Sequence, residues 1–350
     1  MVAVLSLYGC GPNDAPKKLA EATNPTPAAA AASPASSRGA GAEPQTKIPR
    51  VVMVFFGTRE AGATTSGGVV LFRTRLTELG YVEGKSIVVE ESYADGDPKR
   101  LTELAREIVG SKPEVIVTAA FAATAAVRQA TSTIPIVMLH AGNPVGSGLV
   151  ESLSHPGGNV TGTTSMVPDL GAKQVELLRQ LIPGLNRLGI LLNPANAGHS
   201  SALANVTDTA RLHNIRLVVA EVTRPDDFDK AFRVLRDAHP DALLVMMEPL
   251  IGANRGAILE FAAANRLPAS YDVGSEIVRQ GGLISYGPLL LNHYAQGADY
   301  VDKIIKGADP GRLPVQQPTQ FALTINLKTA SSLGLTIPQS LVLRADEVIR

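Results

Sequence analysis

The sequence predicts an α/β fold made of two doubly wound parallel-sheet lobes. Three observations carry that prediction. From Pro49 onward, short apolar runs alternate with amphipathic helical stretches, the mark of βαβ units whose strands pair in parallel under helices on both faces. The alternation restarts after residue 165 in a second unit of similar size. The chain of 350 residues is long enough for about two domains at roughly 100–200 residues each, and its 45% hydrophobic content supplies two cores. The halves share too little sequence to count as an internal repeat.

The elements follow in order. Val51 to Phe56 reads as a first strand ending at Gly57-Thr58. Val69, Phe72, Leu76 and Leu79 then share one helical face, stopped by Gly80. Ile87 to Glu90 is a second strand. Asp97-Pro98 supplies an N-cap and a first-turn proline to a helix lined by Leu101, Leu104, Ala105 and Ile108. Val115 to Thr118 is a strand and Phe121 to Ala130 a helix. Ile134 to Leu139, six apolar residues, reads as the last buried strand of the first unit.

In the second unit, helix 172–182 turns Val175, Leu178 and Leu181 inward. Strand 188–192 ends at Asn193-Pro-Ala-Asn196, and helix 200–213 leads to strand 215–220. Helix 226–238 buries Phe228, Ala231, Phe232 and Leu235. Strand 242–247 ends at Glu248-Pro249, and a helix over 255–265 precedes strand 268–271. Gly282 to Gly287 reads as the last strand of the series. A long helix, 290–305, follows with Tyr294, Ala298, Val301 and Ile305 on one face.

The N-terminal part differs in kind. Val2 to Cys10 reads as a partial lipoprotein signal over residues 1–10, with Cys10 the lipidation site. No Lys or Arg precedes that apolar run, and Tyr8 stands where a small residue is usual, so an incidental cysteine is the alternative. Residues 11–48 are rich in Ala, Pro, Ser and Gly and read as a disordered tether, such as would join a lipid anchor to a folded body. Cys10 is the sole cysteine, which excludes an intrachain disulfide, a Cys-rich metal site and a two-cysteine racemase. Formal net charge is zero, 32 basic against 32 acidic, which argues against a nucleic-acid partner. No run after residue 12 reaches the ~18 consecutive apolar residues of a membrane-crossing helix.

Catalytic signatures are missing from the sequence. It contains no G-x-x-x-x-G-K-[ST], no G-x-G-x-x-G after Phe56 and no G-x-S-x-G around Ser147. The six histidines lack metal-ligand spacing, and Asp226-Asp227 sits where helix capping explains it. No cofactor and no metal are expected. What remains are polar groups at strand ends, where open parallel sheets meet their ligands. Thr58, Phe121, Asn143, Asn193, Asn196, Glu248, Tyr271 and Tyr286 are the ligand-contact candidates. Each has a plainer reading. Asn143 and Asn193 precede proline and serve equally as turn formers. Glu248 and Asp272 are equally helix caps. Phe121 is as well placed for packing as for stacking on a ligand, and Tyr286 fits a core. As acids, Glu248 and Asp272 suit a cationic group on a ligand, and helix N-termini suit an anionic one.

Several segments together resemble one family. They include Phe72-Arg-Thr-Arg-Leu-Thr-Glu-Leu-Gly-Tyr-Val-Glu-Gly, Tyr93-Ala-Asp-Gly-Asp-Pro and Asn143-Pro-Val-Gly-Ser-Gly-Leu-Val. They continue with Pro156-Gly-Gly-Asn-Val-Thr-Gly, Leu192-Asn-Pro-Ala-Asn, Gly281-Gly-Leu-Ile-Ser-Tyr-Gly-Pro and the closing Leu343-Arg-Ala-Asp-Glu-Val-Ile. From about residue 50 onward the chain resembles the ABC transporter substrate-binding proteins of the tryptophan/tyrosine type, within the type I periplasmic binding fold. One segment departs: Phe56 to Gly62 lacks the Ser/Pro-rich composition common there.

The resemblance implies a three-crossover hinge near Thr163–Met166, Ser285–Pro288 and Phe321–Asn326, with Thr163, Met166, Ser285 and Phe321 as hinge residues. It implies an N-terminal lobe of 49–165 plus 287–318, and a C-terminal lobe of 166–286 plus 319–350. A small polar solute, with an amino acid as one candidate, would bind between the lobes. The closed form would dock on an ABC permease with a separate ATPase, outside the cytoplasm. A sensory module that presents its closed state to a kinase or partner protein is the alternative. An enzyme on the same fold is the third reading.

Overall fold

The computed structural model describes residues 47–59, 63–165, 170–273 and 275–350. The signal segment with Cys10, all but the last two residues of the tether, and Met166 lie outside the described residues. The described residues open with the last two of the expected tether. Lys47 already pairs with Glu114 at 2.6 Å.

The first lobe runs β1 (Arg50–Phe55), α1 (Ala63–Glu78), β2 (Val88–Tyr93), α2 (Pro98–Gly110), β3 (Val115–Ala119), α3 (Ala120–Ala130), β4 (Ile136–Ala141) and β5 (Val160–Thr164). Its sheet has the order β2-β1-β3-β4-β5, all parallel. Side chains alternate across it. Val51, Met53 and Phe55 face one core with Phe72, Tyr294 and Val301, while Val52 and Val54 face another with Leu104, Ile108, Ala123 and Val127.

The second lobe runs α4 (Leu170–Leu181), β6 (Arg187–Leu192), α5 (Ala197–Leu212), β7 (Arg216–Glu221), α6 (Phe228–Ala238), β8 (Ala242–Val245), α7 (Pro249–Ala253), α8 (Arg255–Ala264), β9 (Ala269–Tyr271), α9 (Ser275–Arg279) and β10 (Ile284–Pro288). Helix α10 (Leu291–Ile305) then packs on α1 and on β3, β4 and β5 of the first lobe. The chain ends in β11 (Phe321–Asn326), α11 (Leu327–Ser332), α12 (Gln339–Val342) and β12 (Glu347–Ile349). The second sheet has the order β12-β11-β10-β9-β8-β6-β7, with β10 and β11 antiparallel.

The strand orders expose the duplication that residue identities hide. Read as first to fifth strand, both sheets follow 2-1-3-4-5, and the second appends β11 and β12 beyond its fifth strand. Such a sheet has a switch point between its first and third strands, where crossover helices leave on opposite faces and open a crevice at the carboxyl ends.

One expectation is corrected. Strand β4 is not the last of the first lobe: β5 follows and forms the edge. Its sequence, Val-Thr-Gly-Thr-Thr, has no apolar periodicity because the buried threonines are satisfied by hydrogen bonds. Thr161 donates to the Leu313 carbonyl and Thr164 to that of Ala141, each at 2.6 Å. Thr163 accepts from the His140 N–H at 3.0 Å. Gly162, at φ +124°, is required because a Cβ there would lie 2.1 Å from the Met138 carbonyl oxygen. Strand β10 is the fifth strand of its series, and β11 pairs antiparallel beside it.

Candidate ligand-binding cleft

The carboxyl ends of the first and third strands of both sheets border one cleft of about 310 Å³. The first lobe contributes Phe55 to Thr58 after β1, Ala119 to Phe121 where β3 enters α3, and His140 and Gly142 at the end of β4. The second contributes Asn196 and Gly198 after β6, Met247 and Glu248 after β8, and Asp272 after β9. Helices add Gln174 from α4, Ser201 and Asn205 from α5, Arg255 from α8, and Glu276 and Gln280 around α9.

The acids carry the electrostatics. Asp272 accepts the Met247 N–H at 2.7 Å, and burial pushes its carboxyl up to about 7. The residue is half-buried and lines the cleft. It makes no ion pair among the described residues. Glu248 caps α7 by accepting the Ile251 N–H at 3.1 Å. Burial raises its carboxyl above the usual range, opposed in part by the Ile251 and Leu250 N–H groups and then by a side-chain hydrogen bond with Asn193. Glu276 is held low by its hydrogen bond with Gln280 and by Arg279. Arg255 donates to the Gln280 side chain at 2.9 Å and to the Gly252 carbonyl at 3.1 Å.

The two cleft histidines are neutral. Burial takes His140 down to about 3, helped by nearby His293, and takes His199 down to about 4. His199 Nδ1 accepts the Asn193 N–H at 3.0 Å, fixing that ring beneath the β6 turn. On the opposite wall, α3 starts from Ala119 with no side-chain cap. Ala120 there has φ +65°, a strained geometry for a residue with a Cβ.

Of the eight sequence candidates, the structure brings Thr58, Phe121, Asn196 and Glu248 to the cleft lining. Tyr271 is a correction: it is 0% exposed and packed in the core with Leu267, Ile277 and Val278, with its ring against Gly282. Tyr286 is set aside likewise, stacked on Phe321 at 6.0 Å. Asn193 shapes its turn by accepting the Ala195 N–H and supports Glu248 from behind. Asn143 sits off the lining, where its amide donates to Ser201 Oγ at 2.6 Å and its carbonyl oxygen accepts the Gly146 N–H at 3.0 Å. Among the named hinge positions, Thr163 bridges Gln316, Ser285 lies within β10, and Phe321 opens β11.

The residues that strand-end reasoning missed lie on helices. Gln174, Ser201, Asn205, Arg255, Glu276 and Gln280 reach the cleft from helical positions that no strand boundary marks. Asp272, named with Glu248 as a partner for a cationic group but outside the eight contact candidates, also lines the cleft.

Two lobes with one cleft at facing carboxyl ends define a solute-binding protein of the periplasmic-binding class. The chain belongs to the ABC transporter substrate binding protein family, whose profile matches residues 62–349. It is thus the substrate-binding component of an ABC transporter, in a family of extracytoplasmic proteins that bind small solutes and work with transporter components. A tyrosine-binding protein of Clostridioides difficile strain R20291 is 26% identical over 265 residues, covering 75% of each chain. A conserved domain protein of Vibrio cholerae superposes at TM-score 0.80 with 29% identity, over 86% of this chain and 100% of that one. A domain from Streptococcus pneumoniae solved in complex with L-Trp superposes at TM-score 0.80 with 22% identity, over 86% and 100%. The family is the one the sequence segments resemble.

Proposed function

We propose that the protein captures a zwitterionic amino acid in the cleft and delivers it to an importer. The observation that carries this reading is Asp272, a carboxylate held out of bulk water beside the cleft with no cation partner among the described residues. An ammonium group arriving with the ligand supplies the missing charge. Glu248 lies one residue beyond the amide that Asp272 binds, and adds a second acceptor. Across the cleft, the uncapped start of α3 carries partial positive charge and suits a carboxylate. Phe56, Phe121, Met247 and Leu290 provide apolar wall for a side chain.

One zwitterion would then be held by its acid on the first lobe and its ammonium on the second, which favours the closed state. The tyrosine-binding relative and the neighbour holding L-Trp make aromatic amino acids the first probes. In this reading the closed form docks on a permease with a separate ATPase, and Cys10 carries a lipid anchor. Mass spectrometry of the N-terminus checks the anchor, and an unmodified Cys10 in the membrane-associated protein refutes it.

Isothermal titration with L-tryptophan, L-tyrosine and indole-3-propionate tests the site. The amino acids should bind, and the deaminated acid should bind at least about 25-fold more weakly, a loss of about 2 kcal/mol for one charged hydrogen bond. Equal affinity for the deaminated acid defeats the role given to Asp272. At 100 times Kd a bound ligand should stabilise the fold by about 2.7 kcal/mol. A melting temperature unmoved by every amino acid at millimolar concentration defeats the reading as a whole.

A further inference from the structure

Beside the cleft the two lobes touch through glycine. A Cβ built on Gly142, after β4, would lie 2.9 Å from the Gly198 Cα, 3.5 Å from the Gly198 nitrogen and 3.6 Å from Asn196 Oδ1. All three atoms belong to the second lobe. A Cβ on Gly198, in the first turn of α5, would lie 2.9 Å from the Gly142 Cα and 3.1 Å from Asn196 Oδ1. Neither glycine has φ in the left-handed region. Backbone conformation therefore does not ask for glycine at either position, and the opposing lobe does.

A second contact runs alongside. The Asn143 amide donates to Ser201 Oγ at 2.6 Å across the same gap, while that hydroxyl donates to the Ala197 carbonyl at 3.3 Å within its own helix. Asn143 sits at φ +42°, held by the bond from the Gly146 N–H to its carbonyl oxygen, so its amide is aimed before the lobes meet. Gly142, Asn196, Gly198 and Ser201 also line the cleft. The contact is thus part of the wall around the ligand.

We propose that Gly142 against Gly198, with Asn143 bonded to Ser201, is a closure latch: a lobe-to-lobe contact that forms only in the closed state and sets how far the cleft can shut. Bare backbone lets the lobes approach to van der Waals distance, and the amide–hydroxyl bond fixes their register. The ligand energetics rest on the amino-acid reading above, whereas the contact itself does not.

Two measurements test the latch. The first needs no ligand. Cys10→Ser, Asn143→Cys and Ser201→Cys are combined, and the rate of disulfide formation under mild oxidation is compared with and without Gly142→Ala. The latch requires Gly142→Ala to slow cross-linking at least tenfold, because its methyl holds the lobes apart. An unchanged rate overturns it. The second uses L-tryptophan and L-tyrosine with the otherwise native chain. Gly142→Ala should weaken binding at least tenfold and abolish ligand-induced compaction in small-angle scattering, with the ligand-free melting temperature within about 2 °C of native. Ser201→Ala, which keeps every backbone contact, should weaken binding about threefold to tenfold. Native affinity and compaction in Gly142→Ala overturn the latch, as does a collapse of ligand-free stability, which would mean a role inside the first lobe. If neither amino acid binds the native protein, the functional reading fails while the cross-linking result still decides the latch.

Discussion

Replacing Asp272 by Asn separates the charge of this residue from its shape. The change is isosteric, and the amide oxygen can still accept the Met247 N–H that the carboxylate accepts at 2.7 Å. What is lost is a negative charge beside the cleft. Breaking a charged hydrogen bond costs about 1.5–3 kcal/mol, and stranding one member of a buried ion pair costs about 3–5 kcal/mol. Taking about 2–4 kcal/mol, binding of L-tryptophan or L-tyrosine should weaken roughly 25- to 700-fold by titration calorimetry.

The ligand-free protein should respond in the opposite direction. An unfolded Asp ionises near pH 3.9, but folded Asp272 does so only at about 7. Between those values the folded state holds a proton that the unfolded state has released. Its stability therefore falls as pH rises from about 4 to 7, and the full penalty applies above 7. Water in the cleft screens part of it. About 1–2 kcal/mol remains, so Asp272→Asn should melt about 2–8 °C above native at pH 8 and show no gain at pH 4. Ligand affinity of the native protein should decline as pH falls through 7, because the carboxylate must ionise to meet the ammonium. In the variant that decline should be shallower. Native affinity in Asp272→Asn, or a lower melting temperature at pH 8, refutes the reasoning.

A Cβ on Gly287 would lie 1.7 Å from the Asp272 carbonyl oxygen, so Gly287→Ala must push β10 away from the end of β9. It should lose about 1–3 kcal/mol in urea denaturation and weaken ligand binding in the same variant. Phe232 and Phe261 stack at 4.5 Å with 6° between ring planes, behind the second sheet. Phe261→Ala should cost about 3–5 kcal/mol and leave ligand affinity unchanged once the protein is folded. His140 and His293 lie 6.0 Å apart, and burial lowers them to about 3 and about 4. Lowered histidines favour the neutral folded form, so their contribution is present above pH 6.5 and is lost as pH falls from there toward 4. In an Asp272→Asn background, which removes the opposing carboxyl effect, the urea midpoint should drop between pH 7 and pH 5. Adding His293→Gln should shrink that drop, and an unchanged drop refutes the assignment.

The fold was legible where burial writes a period into the residues. Helix α2 has Leu101, Leu104, Ala105 and Ile108 as its buried face, as their spacing predicts, with Asp97 capping it through the Lys99 N–H. It was illegible where polar side chains are buried by mutual satisfaction. The threonines of β5 look like loop residues until their carbonyl partners are known. The site was half legible for a related reason. Strand ends locate a cleft, which placed Thr58, Asn196 and Glu248, but they do not tell which face a side chain takes. Tyr271 and Asp272 are neighbours in sequence, and one is core while the other lines the cleft. Helix positions such as Arg255 and Glu276 carry no boundary signal, and contacts between lobes such as Gly142 against Gly198 carry none in either segment alone.

The duplication explains why the two walls of the cleft differ in kind. Both sheets share the 2-1-3-4-5 order, so each offers the same scaffold of carboxyl ends to the gap. The described walls carry different chemistry on that scaffold. The first presents apolar side chains, a neutral histidine and an uncapped helix start, and the second presents the desolvated acids Asp272 and Glu248 beside Arg255 and a Glu276 already paired with Arg279. With matching charge on both walls, closing without ligand would bring like groups together. With a cationic wall against an anionic one, the empty protein would shut on itself. A weakly positive helix end facing desolvated acids avoids both outcomes. Asp272 and Glu248 bear a burial penalty that an arriving cation offsets, and a helix end is too weak and too fixed in place to relieve it. In the proposed reading, a solute that brings its own ammonium and carboxylate would relieve both walls at once. That is the differential free energy a hinge needs if it is to close on ligand and stay open without it.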